Sequence, residues 1–246
     1  MAKAVTLSNG KSWPTQKAAQ EHFRAMLARY ADNQVIDDAQ DHDDLVALLE
    51  RYDLAITDGP PKAGAGIDHF ERRRNAGEGF STPGFWVIRT TGDATDFSYI
   101  WAVKAQPMSD AQQFTGACRT AVQSTLLAAK KKAFETYGDA SGRVPCELTG
   151  QLVGFDEAHL DHAWMSFSQI VVGFRAARGW AHGVPAGCVT VPADAQIVSA
   201  FQDPATADAF VDFHNKVAKL RIVSKTANLS MAARQRVPKI QRPIVL

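Results

Sequence analysis

Cysteine is scarce in this sequence. Cys118, Cys146 and Cys188 are the three present in 246 residues, far apart and without a Cys-x-x-Cys pair. An odd, dispersed set excludes a disulfide-stapled framework and a cysteine-built zinc knuckle, so reduced thiols are expected. Long apolar runs are missing too: none approaches the about 20 residues that a membrane-spanning helix requires. Met1–Gly10 lacks the apolar stretch of a signal peptide, and the expectation is a cytoplasmic protein with no membrane partner. Repeats and low-complexity stretches are absent. What is present is an ordinary globular balance, 46% hydrophobic and 22% charged, which excludes a disordered tail or a fibre and permits a real core. A chain of 246 residues has room for one large domain or two modest ones.

Net charge is +1, but its distribution is uneven. Residues 1–107 carry 12 Lys/Arg against 15 Asp/Glu, while 108–246 carry 15 against 11. From Lys216 to Leu246 there are eight basic residues (Lys216, Lys219, Arg221, Lys225, Arg234, Arg236, Lys239, Arg242) and no acid. Such a run is either a solvated face or the footprint of a polyanion such as DNA or RNA.

The pattern along the chain predicts an α+β protein. After an extended entry at 5–13, Thr15 opens a helix whose apolar face is Ala18, Phe23, Met26, Leu27 and Tyr30. A second helix is expected over Asp43–Arg51, with Leu45, Leu48 and Leu49 inward and Asp41, Asp43 and Asp44 suited to the positive end of its dipole. Gly59-Pro60-Pro61 and Gly64-Ala65-Gly66 break this regularity. Phe85–Arg89, a turn at Thr91-Gly92-Asp93, and Phe97–Trp101 then read as a β-hairpin. Two helices on a small antiparallel sheet are the expected first domain, residues 1–107.

Lys17-Ala18-Ala19, Phe23, Leu27, Leu45–Leu49, Gly64-Ala65-Gly66-Ile67, Phe85–Arg89 and Asp96-Phe97-Ser98-Tyr99 follow one another in an order that resembles the DCL family, named for defective chloroplasts and leaves. The likeness covers about residues 5–105. It implies a nucleic-acid context, since plant members are associated with ribosomal RNA processing and a related module sits on plant RNA polymerase subunits. Trp86 and Trp101 stand where cysteines are expected in plant members, so no thiol role carries over. Both tryptophans alternate with residues facing the other way, which suits core positions. Base stacking on either is the functional alternative. Arg72-Arg73-Arg74 is a basic cluster in an acidic region, a solvated patch or this domain's phosphate contact.

Ser109–Gln112 forms a Ser-x-x-Gln capping box, and the helical pattern persists to Tyr137 before Gly138. About 28 residues would span roughly 42 Å, the length of a connector, expected over 108–143. The last domain, 144–246, opens with a tight turn at Cys146–Gly150 and leads to Asp161-His162. A carboxylate beside an imidazole can hold a hydrated cation while the neutral ring accepts a proton from water, provided the chain curls at a strand end so that both converge. Further on, Phe210–Asn215 reads as a helix, Leu220–Val223 as a strand, and Ser224–Leu229 as the entry to another helix. Taken singly, His214 suits a hydrogen-bonded core position and Asn228 a helix cap. His159 with Cys146 supplies too few ligands for zinc.

Together, Cys146-x-x-Thr149-Gly150, Asp161-His162 and Leu220-Arg221-Ile222-Val223 followed by Asn228 resemble the HNH nucleases of ββα-metal fold, over about 144–232. The resemblance implies that His162 is the general base, that Asp161 and Asn228 ligate one Mg²⁺ or Mn²⁺, and that His214, with Asn215 as substitute, orients the base. Ser224 and Ala227 stand where many members carry paired cysteines, so structural zinc is not expected. The 51 residues between His162 and His214 imply an inserted helix, Phe167–Arg178, and a Gly/Pro/Ala-rich loop, Gly179–Ala195. The combined expectation is an HNH endonuclease hydrolysing DNA, of restriction or defence type. Lys216, Lys219, Arg221 and Lys225 would contact phosphates and the first domain would recognise the DNA, modified or plain. The alternative is a non-catalytic RNA- or ribosome-associated protein on a decayed nuclease scaffold. A homodimer is an admissible assembly for either.

Overall fold

A computed structural model describes residues 3–56, 59–77, 80–190 and 198–230. The protein is α+β and divides into two compact units, one running to Ser109 and one starting at Asp110, with residues 198 and 199 grouping with the first.

In the first unit Val5–Thr6 (β1) and Ser12–Trp13 (β2) make a short hairpin that turns at Gly10, where φ is 85°. Thr15 caps helix α1, Gln16–Arg29, by accepting the Ala18 N–H at 3.0 Å, and the helix buries Ala19, Phe23, Met26 and Leu27. After Gln34–Val35 (β3), Asp38 caps α2, Ala39–Ala55, which buries Leu45, Leu48 and Leu49. The chain then runs through Ile67–Gly77 (β4), Phe80–Arg89 (β5) and Ala94–Phe97 (β6) into α3, Tyr99–Lys104. Strands β3-β4-β5-β6 form one antiparallel sheet in that order. Strand alternation turns Phe70, Phe85, Val87 and Phe97 to one face, where they join the apolar residues of α1, α2 and α3 in a single core.

Three expectations change here. Asp41 and Asp44 are buried ion-network residues rather than dipole partners alone. Asp41 accepts from Arg29 and the Tyr30 hydroxyl, and Asp44 accepts from Lys11, Asn9, His22 and Gln40. The strand expected to reach Trp101 ends at Phe97, because the Ser98 side chain accepts the Trp101 N–H and starts α3. The β4–β5 pairing runs to Gly77 and Phe80, well beyond the alternation at Ile67, His69 and Phe70.

The second unit is organised on α4, Asp110–Tyr137. This helix had been expected as a connector, yet its Phe114, Cys118, Val122 and Ala129 belong to an apolar cluster with Ile170, Phe174, Phe210 and Leu220. Its buried stripe makes it a core element of the unit. Val144–Pro145 (β7) pairs with Leu152–Val153 (β8), and a 3-10 turn at Phe155–Glu157 leads into β9, Ala158–Ala163. Ser166 and Gln169 form a capping box on α5, Phe167–Ala177. The described part of the following loop is packed, with Trp180 edge-on to Phe114 and Phe174; residues 191–195 of the expected Gly179–Ala195 loop lie outside the described residues. Asp203 caps α6, Pro204–Val217. The chain closes on β10, Lys219–Ser224, and α7, Lys225–Ser230. β10 pairs antiparallel with β9, so that β9, β10 and α7 make a ββα unit.

Candidate active site on the β9–β10 ribbon

The ladder sets the site's geometry. Leu220 pairs with His162, Arg221 with Asp161, and Val223 with His159. Successive residues of a strand face opposite sides, so His159 and Asp161 share one face while Leu160 and His162 share the other. The convergence expected of Asp161 and His162 is therefore not what the strand makes. Both lie inside a fully paired ladder rather than on a curled end.

On the inner face His162 meets the helices. Its Nε2 lies 2.9 Å from Nε2 of His214 on α6, and both rings are buried, His214 completely. Phe167 at the start of α5 packs against both rings. The middle residue expected from the sequence thus reaches the base candidate across 52 positions. Asn215 Oδ1 sits 3.3 Å from His214 Nδ1 and accepts its proton. That tautomer makes His214 Nε2 the acceptor of a proton carried on His162 Nε2, and a neutral His162 then has its lone pair on Nδ1. Burial holds the pKa of His214 below the ordinary imidazole value, partly offset by Asn215.

On the outer face Arg221, completely buried, donates from Nε at 3.0 Å and from Nη2 at 2.8 Å to Oδ2 of Asp161. Arg221 was expected to touch phosphate; the register places it opposite Asp161 instead. Asn228 on α7 donates from Nδ2 to His159 Nδ1 at 3.0 Å. Burial, then Lys225 and Lys130, lower the His159 pKa, and Asp161 opposes them. The structure thus gives two pairs on this face, Asp161 with Arg221 and His159 with Asn228, and a third pair, His162 with His214, on the other. Among the described residues no three His, Cys, Asp or Glu side chains converge as a metal cluster.

Lys130 is the residue sequence reasoning passed over, and His159 is one it weighed only as a zinc ligand. Lys130 lies in α4, and no local motif marks it. It reaches the ribbon through Nζ, which donates to the Ala158 carbonyl at 2.8 Å. His159 had a sequence signal in its i, i+2 relation to Asp161, the spacing that places two side chains on one strand face.

The knuckle of the fold is hydrogen-bonded. Cys146, buried, accepts the Ser224 N–H on Sγ at 3.3 Å, and Ser224 Oγ accepts the Ala227 N–H at 3.1 Å. Burial opposes ionisation of the Cys146 thiol, but hydrogen bonds from Thr149, Ser224 and Leu148 outweigh it and leave the pKa lowered. Glu147 ties the same turn to β10, its N–H donating to the Ile222 carbonyl at 2.9 Å while Oε1 accepts the Ile222 N–H at 3.2 Å.

The remaining expected contacts divide. Lys216, Lys219 and Lys225 are exposed; Arg234, Arg236, Lys239 and Arg242 lie outside the described residues. The Arg72-Arg73-Arg74 cluster is internally engaged: Arg72 with Asp32 at 3.1 Å, Arg73 with Glu71 at 2.6 Å, and Arg74 with Asp32 at 3.4 Å. Those acids sit across the sheet or along β4, so the cluster is neither simply solvated nor an open phosphate contact. Trp86 and Trp101 are half-buried and outside the core cluster. Trp86 donates to Asn75 Oδ1 at 2.7 Å, and Asn75 donates in turn to Asp96 at 3.2 Å. A Cβ at Gly84 would stand 2.9 Å from the Asn75 amide, so the glycine makes room for this link. Arg73 lies 5.5 Å from the Trp86 ring centroid, and Lys104 lies 4.3 Å from that of Trp101.

Comparison with known proteins bears on the first unit. Residues 24–103 match the model of a family described as a protein of unknown function (DUF3223). No curated protein matches the chain. The solution NMR structure of an uncharacterized protein from Rhodospirillum rubrum is similar, with 32% sequence identity, 42% of this chain and 91% of that chain covered, and a TM-score of 0.34.

Proposed function

We propose that the second unit is a metal-dependent phosphodiesterase of HNH type that cuts DNA, in a cytoplasmic restriction or defence setting. The observation that carries this reading is the His162–His214 hydrogen bond, which joins a strand and a helix distant in sequence into the base-and-orienter pair the motif calls for. Hydrogen bonding to His214 holds His162 in one orientation and one tautomer. His162 is the residue that would take the proton of the attacking water, a task for which an imidazole is suited near neutral pH.

Asp161 and Asn228 are the residues that would hold a hard divalent cation on the outer face. Arg221 makes its two bonds to Asp161 at Oδ2, and Asn228 turns its Nδ2 to His159; Asp161 Oδ1 and Asn228 Oδ1 would be the oxygens offered to the ion. When bound, Mg²⁺ or Mn²⁺ supplies stabilisation of the negative charge that develops on the phosphate and leaving oxygens. Lys216, Lys219 and Lys225 position the backbone without reading sequence. Trp86 and Trp101 are the candidates with which the first unit would recognise DNA.

Substituting His162→Ala should reduce single-turnover cleavage of a duplex at least about a hundredfold while duplex binding measured without divalent ions stays near wild type. Wild-type cleavage by this variant would end the assignment.

A second reading is favoured by one observation, the opposite facing of Asp161 and His162 on β9. In it the ribbon is a decayed nuclease scaffold that binds RNA. It predicts binding without cutting, and no rise in melting temperature with Mg²⁺ or Mn²⁺.

A further inference from the structure

Two lysines and a histidine are carried at the end of the ribbon where β9 begins and β10 stops. Lys130 is fixed there by its bond to the Ala158 carbonyl, 2.8 Å, and by the Phe155 ring, whose centroid is 4.1 Å from Nζ. Phe155 is itself held edge-on by Phe134 of α4. Ala158 pairs with Ser224, and Lys225 is the next residue. Three positions further along α7, on the side facing the ribbon, Asn228 holds His159. Ala158, whose carbonyl holds Lys130, directly precedes His159, and its ladder partner Ser224 directly precedes Lys225, so the three residues belong to one end of the ribbon.

The ammonium groups at this spot have no carboxylate partner among the described residues. Among the described residues neither Lys130 nor Lys225 makes an ion pair within 4.0 Å, and the carboxylate next along the strand, Asp161, is bonded to Arg221. Because His159 Nδ1 accepts from Asn228, the proton of a neutral ring sits on Nε2, which makes His159 a third donor. Asp156 adds a favourable field at Lys130 without forming an ion pair with it, so two cations and an N–H donor remain to suit a tetrahedral anion.

We infer that Lys130, Lys225 and His159 form a phosphate-binding site that takes a backbone phosphate of the nucleic acid, beside Asp161 and Asn228. This rests on the nuclease reading for its occupant and adds a residue of α4, far from the motif in sequence, to the substrate contacts. Lys130 and Lys225 supply charge, and the Phe155 ring and Ala158 carbonyl fix one of them in advance of binding.

The test is the affinity of the full chain for a fluorescent DNA duplex in EDTA, measured over a range of salt. Lys130→Met and Lys225→Met should each weaken binding several-fold and lower the slope of log K against log salt by about one, with Lys130→Arg near wild type. Lys225 is exposed, so its variant keeps the site testable if Lys130→Met fails to fold. Wild-type affinity and slope in the folded Met variants would overturn the inference, and if the wild type still cuts in Mn²⁺ the nuclease reading survives that loss. A lysine-dependent slope in a protein that cuts in no divalent ion would support the site and end the nuclease reading. Inorganic phosphate bound by the wild type but not by Lys130→Met, with the duplex unbound, would reassign the site to a free anion and overturn the backbone assignment.

Discussion

Arg221 and Asp161 show how one register position can redirect a residue. In the sequence Arg221 is one more cation in a basic run; in the ladder it is fully buried against Asp161. Removing one partner of a buried pair is far costlier than replacing both. Asp161→Asn should therefore lower unfolding free energy in urea by about 3–5 kcal/mol, and Asp161→Asn with Arg221→Met should recover a large part of that loss. Additive losses in the double variant would contradict the pairing. His214 gives a second residue-scale expectation. Burial lowers its folded pKa below the ordinary 6.5, so the unfolded chain binds a proton more readily. The contribution to stability is complete above the unfolded value and is lost as pH falls through it toward the folded value. Denaturant midpoints followed from about pH 7.5 to 5 should fall more steeply for wild type than for His214→Gln, which does not titrate there; equal pH profiles would count against a neutral buried ring.

Elements were legible where local chemistry decides them. Thr15 and Gly138 mark helix ends: the Thr15 side chain accepts the Ala18 N–H, and α4 stops before Gly138, where a Cβ would stand 2.5 Å from the Phe134 carbonyl oxygen. The β4–β5 ladder was not legible beyond Phe70, since its next part is an arginine run whose partners, Asp32 and Glu71, are fixed only by folding. Aromatic content made Phe97–Trp101 look like a strand, and one serine cap overrode it. In the site, His162, His214 and Asn228 were readable as residue types at motif spacing, but which of them touch was not. Facing on a strand depends on register, and register is set by distant pairing. The knuckle tests this element-level account. Cys146→Ala removes the acceptor of the Ser224 N–H and should cost about 1–3 kcal/mol, whereas Cys146→Ser, which keeps an acceptor, should cost less. A destabilisation of Cys146→Ser equal to that of Cys146→Ala would assign the loss to packing alone.

At the scale of the molecule, charge and chemistry separate. The acidic half of the sequence falls in the first unit, where its carboxylates Asp41 and Asp44 are consumed in buried networks. No helix among the described residues is long and apolar enough to cross a membrane. Lys216, Lys219 and Lys225 are exposed in the second unit around the ribbon, and the proposed function would place a polyanion there. The account therefore makes a demand of the whole chain that no single substitution can replace. Supercoiled plasmid incubated with the purified protein should be converted to nicked or linear DNA in Mg²⁺ or Mn²⁺ and left intact in EDTA, and a plasmid that stays supercoiled in both ions would contradict the central claim.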